Sequence, residues 1–149
     1  MRVIIQRVSR ASVSVDGKII GSIDQGILAL LGISDTDSTK DADYLLNKII
    51  NLRIFEDSED KMNLSLADIS GQLLVVSQFT LYGDARRGRR PSFLRAATPS
   101  KAKGLYNYFV NHAKQNLLRV ETGKFQAMMQ VESINDGPVT IMLDSEKQF

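Results

Sequence analysis

Four adjacent residues that could form a catalytic site close a strongly apolar segment of this chain. They are Ser77, Gln78, Phe79 and Thr80. The apolar run at 73–79 predicts a buried strand. Hydroxyl and amide groups at a strand end, together with backbone N–H groups that leave the sheet, suit the stabilisation of an oxyanion. The alternative, which the pattern alone favours, is that serine and threonine only terminate the strand through local hydrogen bonds.

A second candidate is the segment 135–140, which reads Asn-Asp-Gly-Pro-Val-Thr. Gly137 permits a close approach of backbone to a ligand, and Pro138 fixes its own φ. We predict two final strands, at about 127–134 and 138–144, with a tight turn between them. The alternative to a functional loop is therefore an ordinary hairpin turn, which the pattern alone favours.

The scarcity of acid–base residues restricts the possible chemistry. The chain has no cysteine and a single histidine, His112. This excludes a zinc thiolate site, a cysteine nucleophile and a histidine-rich metal centre within one chain. We predict no metal and no cofactor. A serine hydrolase would need His112 as its base and Ser77 or Ser92 as its nucleophile, but a G-x-S-x-G motif is missing. With no obvious carboxylate to orient His112, we expect a structural histidine.

Positive charge is concentrated in one loop, although the net charge is only +2. Arg86, Arg87, Arg89 and Arg90 lie within the Gly- and Pro-containing segment 85–91. Planar guanidinium groups suit phosphate recognition, so this loop is a candidate phosphate-binding surface. The alternative is a solvated basic loop with no ligand.

The sequence carries no sign of export or of membrane insertion. The first residues do not have the pattern of a signal peptide. The longest strongly apolar run, residues 27–33, is much shorter than the ~20 residues of a spanning helix. We therefore expect a cytoplasmic protein with no membrane partner.

The length of 149 residues predicts one domain that covers 1–149. Runs of strands followed by helices, with several hairpins, indicate an α+β fold. Besides the two final strands, we predict strands at 3–8, 12–15, 18–23, 27–33 and 73–79. We also predict one helix after Ser38 that runs to about Arg53, and a second helix after the N-cap Thr98.

Taken together, these segments resemble the D-aminoacyl-tRNA deacylases along nearly the whole chain. The resemblance is carried by the two candidate segments, Ser-Gln-Phe-Thr-Leu at 77–81 and Asn-Asp-Gly-Pro-Val-Thr at 135–140, in this order. Further matching blocks lie at 1–8, 51–57, 61–65 and 88–93. One stretch departs from the family pattern: Gln126 and Met128 stand where family members often have a small and an acidic residue.

The resemblance implies a fold and an activity. The implied fold is a barrel-like core of mainly antiparallel strands with two main helices. The implied activity is hydrolysis of the ester between a D-amino acid, or mischarged glycine, and the 3′ adenosine of tRNA. It also implies a homodimer with active sites at the subunit interface, and a cis Gly137-Pro138 peptide that reaches into the partner's site and rejects L-amino acids. The implied partner is aminoacylated tRNA and not DNA, and Arg86, Arg87, Arg89 and Arg90 of the basic loop are then the candidates for binding it.

The expected mechanism relies on the backbone and on the substrate. The aminoacyl ester is reactive and carries its own 2′-hydroxyl, so placement and oxyanion stabilisation are the main requirements. We expect Phe79 and Thr80 to supply N–H donors, with Ser77 and Gln78 shaping the site. The rival mechanism makes the Thr80 hydroxyl a covalent nucleophile. A different function class, a non-catalytic RNA-binding module that uses the basic loop, also stays open.

Overall fold

The computed structural model describes residues 1–117 and 119–148. In chain order the elements are β1 (Arg2–Val15), β2 (Lys18–Ile23), β3 (Gly26–Gly32), α1 (Thr39–Asn51), β4 (Phe55–Glu56), β5 (Met62–Leu64), β6 (Gln72–Ser77), a 3₁₀ helix (Phe79–Tyr82), α2 (Pro99–Asn116), β7 (Val120–Thr122) and β8 (Gln130–Asp144). No helix within the described part of the chain has the length and apolar character needed to cross a membrane.

The main sheet is organised around β1. It pairs antiparallel with β3 through its first half and with β2 through its second half, while β8 pairs along nearly its whole length. Asp16 and Gly17 join β1 to β2 with φ values of 50° and 74°. Positive φ at both positions is the geometry of the two-residue hairpin that Asp-Gly predicts. The predicted strands at 3–8 and 12–15 are parts of this single long strand.

Two of the strand pairs are parallel, which makes the sheet mixed. β3 pairs parallel with β6, and β6 pairs parallel with β7. A parallel pair needs a crossover connection, and α1 lies in the segment that joins β3 to β6. The short strand β7 extends the sheet beyond β6. We did not predict it, because no hydrophobic run in the sequence indicates a strand there.

The ends of the sheet approach each other and nearly close it into a barrel. A Cβ atom on Gly21 of β2 would lie 2.7 Å from the carbonyl oxygen of Thr122 on β7. The Arg119 guanidinium donates across the same gap to the Ser22 carbonyl at 3.0 Å. Gly21 therefore allows the closest approach of these two strands. The expected α+β barrel-like core with two main helices is confirmed.

Apolar residues on both faces of the sheet form two clusters. One face packs against the helices, and its buried cluster includes Leu45 and Ile49 of α1 and Phe109 of α2. The opposite face, which the curved sheet encloses, contributes residues such as Val13 and Leu74. The continuous apolar runs at β3 and β6 are explained by this arrangement, because both strands are buried on two sides.

Two predictions near the site-bearing segments are wrong in detail. The final strand is one strand, β8, because its two halves both pair with β1: Thr140 lies opposite Gln6 and Asn135 lies opposite Val8. The chain continues in the same direction instead of reversing in a hairpin. In addition, β6 ends at Ser77, so Phe79 begins the 3₁₀ helix and does not close the strand.

Candidate active site

The first candidate segment lies where β6 leaves the sheet. Ser77 is the last residue of β6 and pairs with Leu31 of β3. The Gln78 N–H donates to the Leu31 carbonyl at 2.7 Å, and the chain then turns into the 3₁₀ helix. The first N–H groups of a helix have no acceptor inside it. The backbone N–H groups of Phe79 and Thr80 are therefore available as donors at this strand end.

The side chains of this segment contain no evident base. The Gln78 amide Nε2 donates to the Thr80 hydroxyl oxygen at 2.6 Å. An amide N–H cannot take up a proton, so this contact positions the Thr80 hydroxyl without activating it. Phe79 has 58% of its surface exposed, and its ring meets Phe93 edge to face at 5.1 Å between centroids. The N–H donors thus lie beside an exposed aromatic surface.

The second candidate segment is a four-residue bulge in β8. Between the pairs Gln6–Thr140 and Val8–Asn135, one residue of β1 lies opposite residues 136–139 of β8. The Asn135 amide closes the base of this bulge: Nδ2 donates to Thr140 Oγ1 at 2.8 Å, and Oδ1 accepts from the Val139 N–H at 3.1 Å. The peptide bond between Gly137 and Pro138 is cis.

The β1 residue opposite the bulge is Arg7, and its buried guanidinium contacts the bulge from the interior of the protein. Arg7 is only 6% exposed. Its Nη1 donates to the Ile54 carbonyl at 2.7 Å and its Nε donates to the Asp136 carbonyl at 3.2 Å. The carboxylates of Asp136 and Glu56 lie 3.3 and 3.7 Å from the same guanidinium. The cation therefore joins the bulge to the segment around β4.

Close packing also explains the glycine of the bulge. Gly137 has φ +118°, a region that residues with a side chain rarely adopt. A Cβ atom there would lie 2.9 Å from Nη2 of Arg7 and 2.9 Å from Cγ2 of Val139. Glycine is thus required both by the backbone conformation and by the approach of the guanidinium.

Arg7 supports the second candidate segment, and the sequence reasoning missed this residue although a signal was present. Val3, Ile5 and Arg7 occupy alternate positions of β1, and Val3 and Ile5 are buried. A charged residue at a position whose side chain faces the interior of a strand with alternating burial is rare, and it indicates a polar partner inside the protein.

Within one chain the two segments lie far apart. Two strands, β1 and β3, separate β8 from β6, which corresponds to three strand spacings of ~4.8 Å. The strand register adds a further offset. Ser77 pairs with Leu31, which pairs with Val3, whereas the bulge lies opposite Arg7, four residues or about 13 Å further along β1. The structure does not bring Gly137 and Pro138 to Phe79 and Thr80 of the same chain.

The basic segment forms a closed loop. The backbones of Asp84 and Ser92 exchange two hydrogen bonds of 2.8 and 2.9 Å at its base. Arg86 turns back to the Asp84 carboxylate at 2.6 Å and holds the pKa of that carboxyl well below its usual range. Arg87, Arg89 and Arg90 are exposed at the tip. Of the four predicted RNA-binding arginines, Arg86 is thus already engaged by a carboxylate.

His112 has an acidic partner that the sequence did not reveal. Its Nδ1 lies 2.9 Å from Oδ1 of Asp43, which also accepts from the Tyr108 hydroxyl at 2.9 Å. Asp43 belongs to α1 and His112 to α2, so only the packing of the two helices brings them together. The expectation that no carboxylate orients His112 is wrong. No serine hydroxyl contacts the imidazole among the described residues, so this cluster lacks a nucleophile.

The segment that departs from the family pattern lies between β7 and β8. Met128 is 90% exposed, and Gln126 has φ +61°. The neighbouring Met129 packs against the enclosed cluster instead, and its sulfur accepts from the Lys124 N–H at 3.3 Å. No group of three acidic or histidine side chains that could hold a metal ion is found in the described ranges.

Comparison with known proteins assigns the family. The sequence profile of D-Tyr-tRNA(Tyr) deacylase matches residues 4–144. The D-aminoacyl-tRNA deacylases of Koribacter versatilis and Clostridioides difficile are 60% and 59% identical over 149 residues, and each match covers both chains completely.

Two solved structures share the fold. One, a c-Myc DNA unwinding element binding protein, is 43% identical with a TM-score of 0.92, and the match covers 97% of this chain and 98% of the other. The second, a probable eukaryotic D-amino acid tRNA deacylase, has a TM-score of 0.81 at 19% identity over 95% of this chain and 97% of the other. From the profile and the curated relatives, this chain belongs to the D-Tyr-tRNA(Tyr) deacylase family.

Proposed function

We propose that this chain hydrolyses the ester bond between a D-amino acid and the terminal adenosine of tRNA. The observation that carries the proposal is the strand end at 77–80, where two backbone N–H groups without helical acceptors lie beside an exposed aromatic surface. Family membership supplies the substrate class, since the curated relatives are named D-aminoacyl-tRNA deacylases. The same site accepts mischarged glycine, which has no side chain to exclude.

In the proposed reaction, water attacks the ester carbonyl and the carbonyl oxygen becomes an oxyanion. The N–H groups of Phe79 and Thr80 donate to this oxyanion, while Ser77 and Gln78 shape the surroundings of the carbonyl and the adenosine. The ester C–O bond of the tetrahedral intermediate then breaks, the departing 3′-oxygen takes up the proton that the water lost, and the products are the tRNA 3′-hydroxyl and the free amino acid. Among the described residues the Thr80 hydroxyl has the Gln78 amide donor as its partner, so no side chain of this part of the chain is placed to deprotonate it. For this reason we assign the assisting role to the 2′-hydroxyl of the terminal adenosine.

We assign chirality selection to the backbone of Gly137 and Pro138. A fixed loop can reject an L side chain by volume, and its carbonyl groups can accept from the amino group of the substrate. Rejection by shape requires that the backbone of the bulge does not move when an L side chain presses on it. The buried Arg7 guanidinium and the Asn135 amide, which brace the bulge from two sides, support this requirement.

The separation of the two segments supports a homodimer with composite sites. One chain cannot place its own bulge against its own 77–80 segment, whereas a second copy could. β8 pairs only with β1 among the described residues, and it exposes Val131, Ile134 and Met142. Exposed apolar side chains along a long strand are typical of a surface that is covered in the assembly.

We assign contacts with tRNA phosphates to the basic loop. Arg87, Arg89 and Arg90 are exposed at its tip, whereas Arg86 would have to exchange Asp84 for a phosphate. Arginine contacts with phosphate position a nucleic acid without reading its sequence. The loop is therefore expected to increase affinity for tRNA in general and not to select a D-amino acid.

A second candidate function is non-catalytic binding of nucleic acid. It is favoured by one observation: a solved structure that is 43% identical over nearly the whole chain carries the name of a DNA unwinding element binding protein. The basic loop and the exposed Phe79 ring could also serve a single strand. Such a module would bind nucleic acid stoichiometrically and would not turn over an ester.

Turnover separates the two candidates. Purified chain at nanomolar concentration is mixed with micromolar D-tyrosyl-tRNA or L-tyrosyl-tRNA, and the remaining ester is measured over time. Our proposal predicts many turnovers per protomer for the D-ester and a rate near the uncatalysed one for the L-ester. Stoichiometric binding of tRNA without ester loss would contradict the deacylase and favour the binding module.

A further inference from the structure

A cavity of about 480 Å³ opens at the carboxyl-terminal end of the 3₁₀ helix, on the side away from its two available N–H groups. We call it the Tyr82 cavity. Tyr82 and Gly83 line it together with three arginines, Arg2, Arg86 and Arg95. Its volume is within the range of small-ligand sites, and its cationic lining indicates an anionic ligand.

The two arginines nearest the aromatic ring are held against it. The guanidinium carbon of Arg2 lies 4.9 Å from the centroid of the Tyr82 ring, and that of Arg95 lies 5.8 Å from it. Both distances are within the range of cation–π attraction. Arg2 also donates to the Leu81 carbonyl at 3.3 Å, which ties the cavity to the 3₁₀ helix. The cations are therefore oriented by the protein before any ligand arrives.

The carboxylates around the cavity differ in how tightly they hold their arginines. Asp84 binds Arg86 at 2.6 Å. Glu146 lies 3.4 Å from Arg95, and both of these side chains are partly exposed. Arg95 has five N–H donors, and Glu146 is the one carboxylate of the described residues that lies within ion-pair distance of it. Arg95 is thus the cation that can turn to a new anion at the lowest cost.

We propose that the Tyr82 cavity binds a backbone phosphate of the tRNA acceptor strand, with Arg95 as its main ligand; this inference rests on the proposed function. The position of the cavity supports it. The 3₁₀ helix has four residues and spans about 8 Å at ~2 Å per residue, so the cavity lies within a nucleotide's reach of the N–H groups that receive the ester. The basic loop begins at the cavity rim with Asp84 and Arg86 and continues the cationic surface outward. A phosphate held here would fix the position of the terminal adenosine.

The test uses Arg95→Gln and a matched control, Arg119→Gln. Arg119 faces Glu121 at the same 3.4 Å and has a side-chain exposure of 47%, against 50% for Arg95. It lies at the gap between β2 and β7, away from the cavity. The full-length variants are assayed on D-tyrosyl-tRNA and on D-tyrosyl-adenosine, which has the same ester but no phosphate. Binding of uncharged tRNA is measured in parallel from 50 to 300 mM salt.

The proposal predicts that Arg95→Gln lowers kcat/KM for D-tyrosyl-tRNA at least fivefold, mainly through KM, and that D-tyrosyl-adenosine shows no matching loss. The salt slope of tRNA binding falls by about 0.7 to 1, the value for one lost phosphate contact. The Arg119→Gln control keeps wild-type values in all three assays. An equal loss on both substrates, or an unchanged salt slope, would overturn the proposal.

Three competitors identify the source of the phosphate. Single-stranded RNA with the acceptor-strand sequence, DNA of the same sequence and inorganic phosphate are each added to the binding assay. Inhibition by the RNA strand that depends on Arg95 supports the proposal, whereas equal inhibition by DNA or by inorganic phosphate would contradict an RNA subsite. If wild type hydrolyses neither ester, the proposed function fails, while the salt dependence of tRNA binding still tests the cavity by itself.

Discussion

The strand end at 77–80 and the β8 bulge at 136–139 are both short backbone segments, but the protein holds them differently. The strand end is exposed, and its polar side chains contact each other through Gln78 and Thr80. The bulge is fixed from behind by Arg7, which is almost completely buried. This difference fits the two tasks of the proposed function. In that proposal the strand end offers donors to a reacting group, and the bulge provides a rigid shape. We therefore expect activity to be sensitive to substitutions that remove the support of the bulge. At the strand end, side-chain substitutions that keep the backbone N–H groups should have smaller effects.

The largest effect is expected at the support of the bulge. Arg7→Ala leaves the buried Ile54 carbonyl without its donor and opens a space next to the bulge. We expect the free energy of unfolding to fall by about 3 kcal/mol, as measured by denaturant titration. Arg7→Lys is the matched control. Lysine keeps the charge but cannot donate from several fixed positions, so Arg7→Lys should recover part of the free energy of unfolding that Arg7→Ala loses. It should recover little of the preference for D-tyrosyl-tRNA over L-tyrosyl-tRNA, because that preference depends on a fixed bulge. Wild-type stability in Arg7→Ala would show that the bulge does not depend on this cation.

The next effect tests whether the shape of the bulge matters. A Cβ at position 137 would press on Arg7 and Val139, and the backbone there has positive φ. For Gly137→Ala we expect kcat/KM on D-tyrosyl-tRNA to fall by about 100-fold, the order of loss that a displacement near 1 Å can cause. Steady-state kinetics on the D- and L-esters measure it. An Ala variant with wild-type kinetics would remove the bulge from the site, whereas Gly17→Ala, in the distant hairpin, serves as the control for strain alone.

The strand end should tolerate the loss of its hydroxyl. Thr80→Ala removes one hydrogen bond with Gln78 and keeps the backbone N–H, so deacylation should fall by less than about tenfold. Thr80→Ser is the control that keeps the hydroxyl. Loss of about 10⁴-fold in kcat with intact tRNA binding would mean that Thr80 is a nucleophile and that the strand end works through a side chain.

The basic loop lies outside both segments and should act on binding alone. Neutralising Arg87, Arg89 and Arg90 together with glutamine is expected to weaken tRNA binding and to reduce its salt slope by about 2 to 3. The single-turnover rate at saturating substrate should stay near that of wild type. An unchanged salt slope would restore the interpretation of a solvated loop, and a lower saturated rate would place the loop in the chemistry.

The smallest effect is expected at His112. It contacts Asp43 and Tyr108 where the two helices pack together, and among the described residues no hydrogen bond or ion pair joins it to either segment. His112→Ala should keep deacylation within about twofold of wild type, because no nucleophile lies beside the imidazole. Asp43→Asn is its companion. A loss of activity shared by both variants would revive a histidine-dependent hydrolase.

Several parts of the fold could be predicted from sequence because local signals determine them. The Asp16-Gly17 hairpin, the capping residues Ser38 and Thr98 and the apolar run of β3 all have physical causes within a few residues. Strand β7 could not be predicted in this way, because its three residues are defined by pairing with β6. The single strand β8 was missed for the same reason, since only its pairing with β1 distinguishes a bulge from a hairpin turn.

The site shows the same limit. Motif order in the sequence selected 77–80 and 135–140 as candidates, and the family comparison agrees with the interpretation of the chain as a deacylase. The role of Arg7 depends on Ile54 and Asp136, which lie 47 and 129 residues away along the chain. The acidic partner of His112 lies 69 residues away. Contacts of this kind arise from packing and cannot be inferred from spacing along the sequence.

In the proposed mechanism the strand end catalyses through its backbone while the substrate supplies the assisting hydroxyl. The most direct measurement is the single-turnover rate on D-tyrosyl-tRNA that ends in 2′-deoxyadenosine, compared with the natural substrate and corrected for the uncatalysed rate of each ester. We predict a loss of at least about 10²-fold, the usual scale of a missing proton-transfer partner. A deoxy substrate that is hydrolysed as fast as the natural one would exclude assistance by the 2′-hydroxyl and assign the reaction to a side chain of the protein.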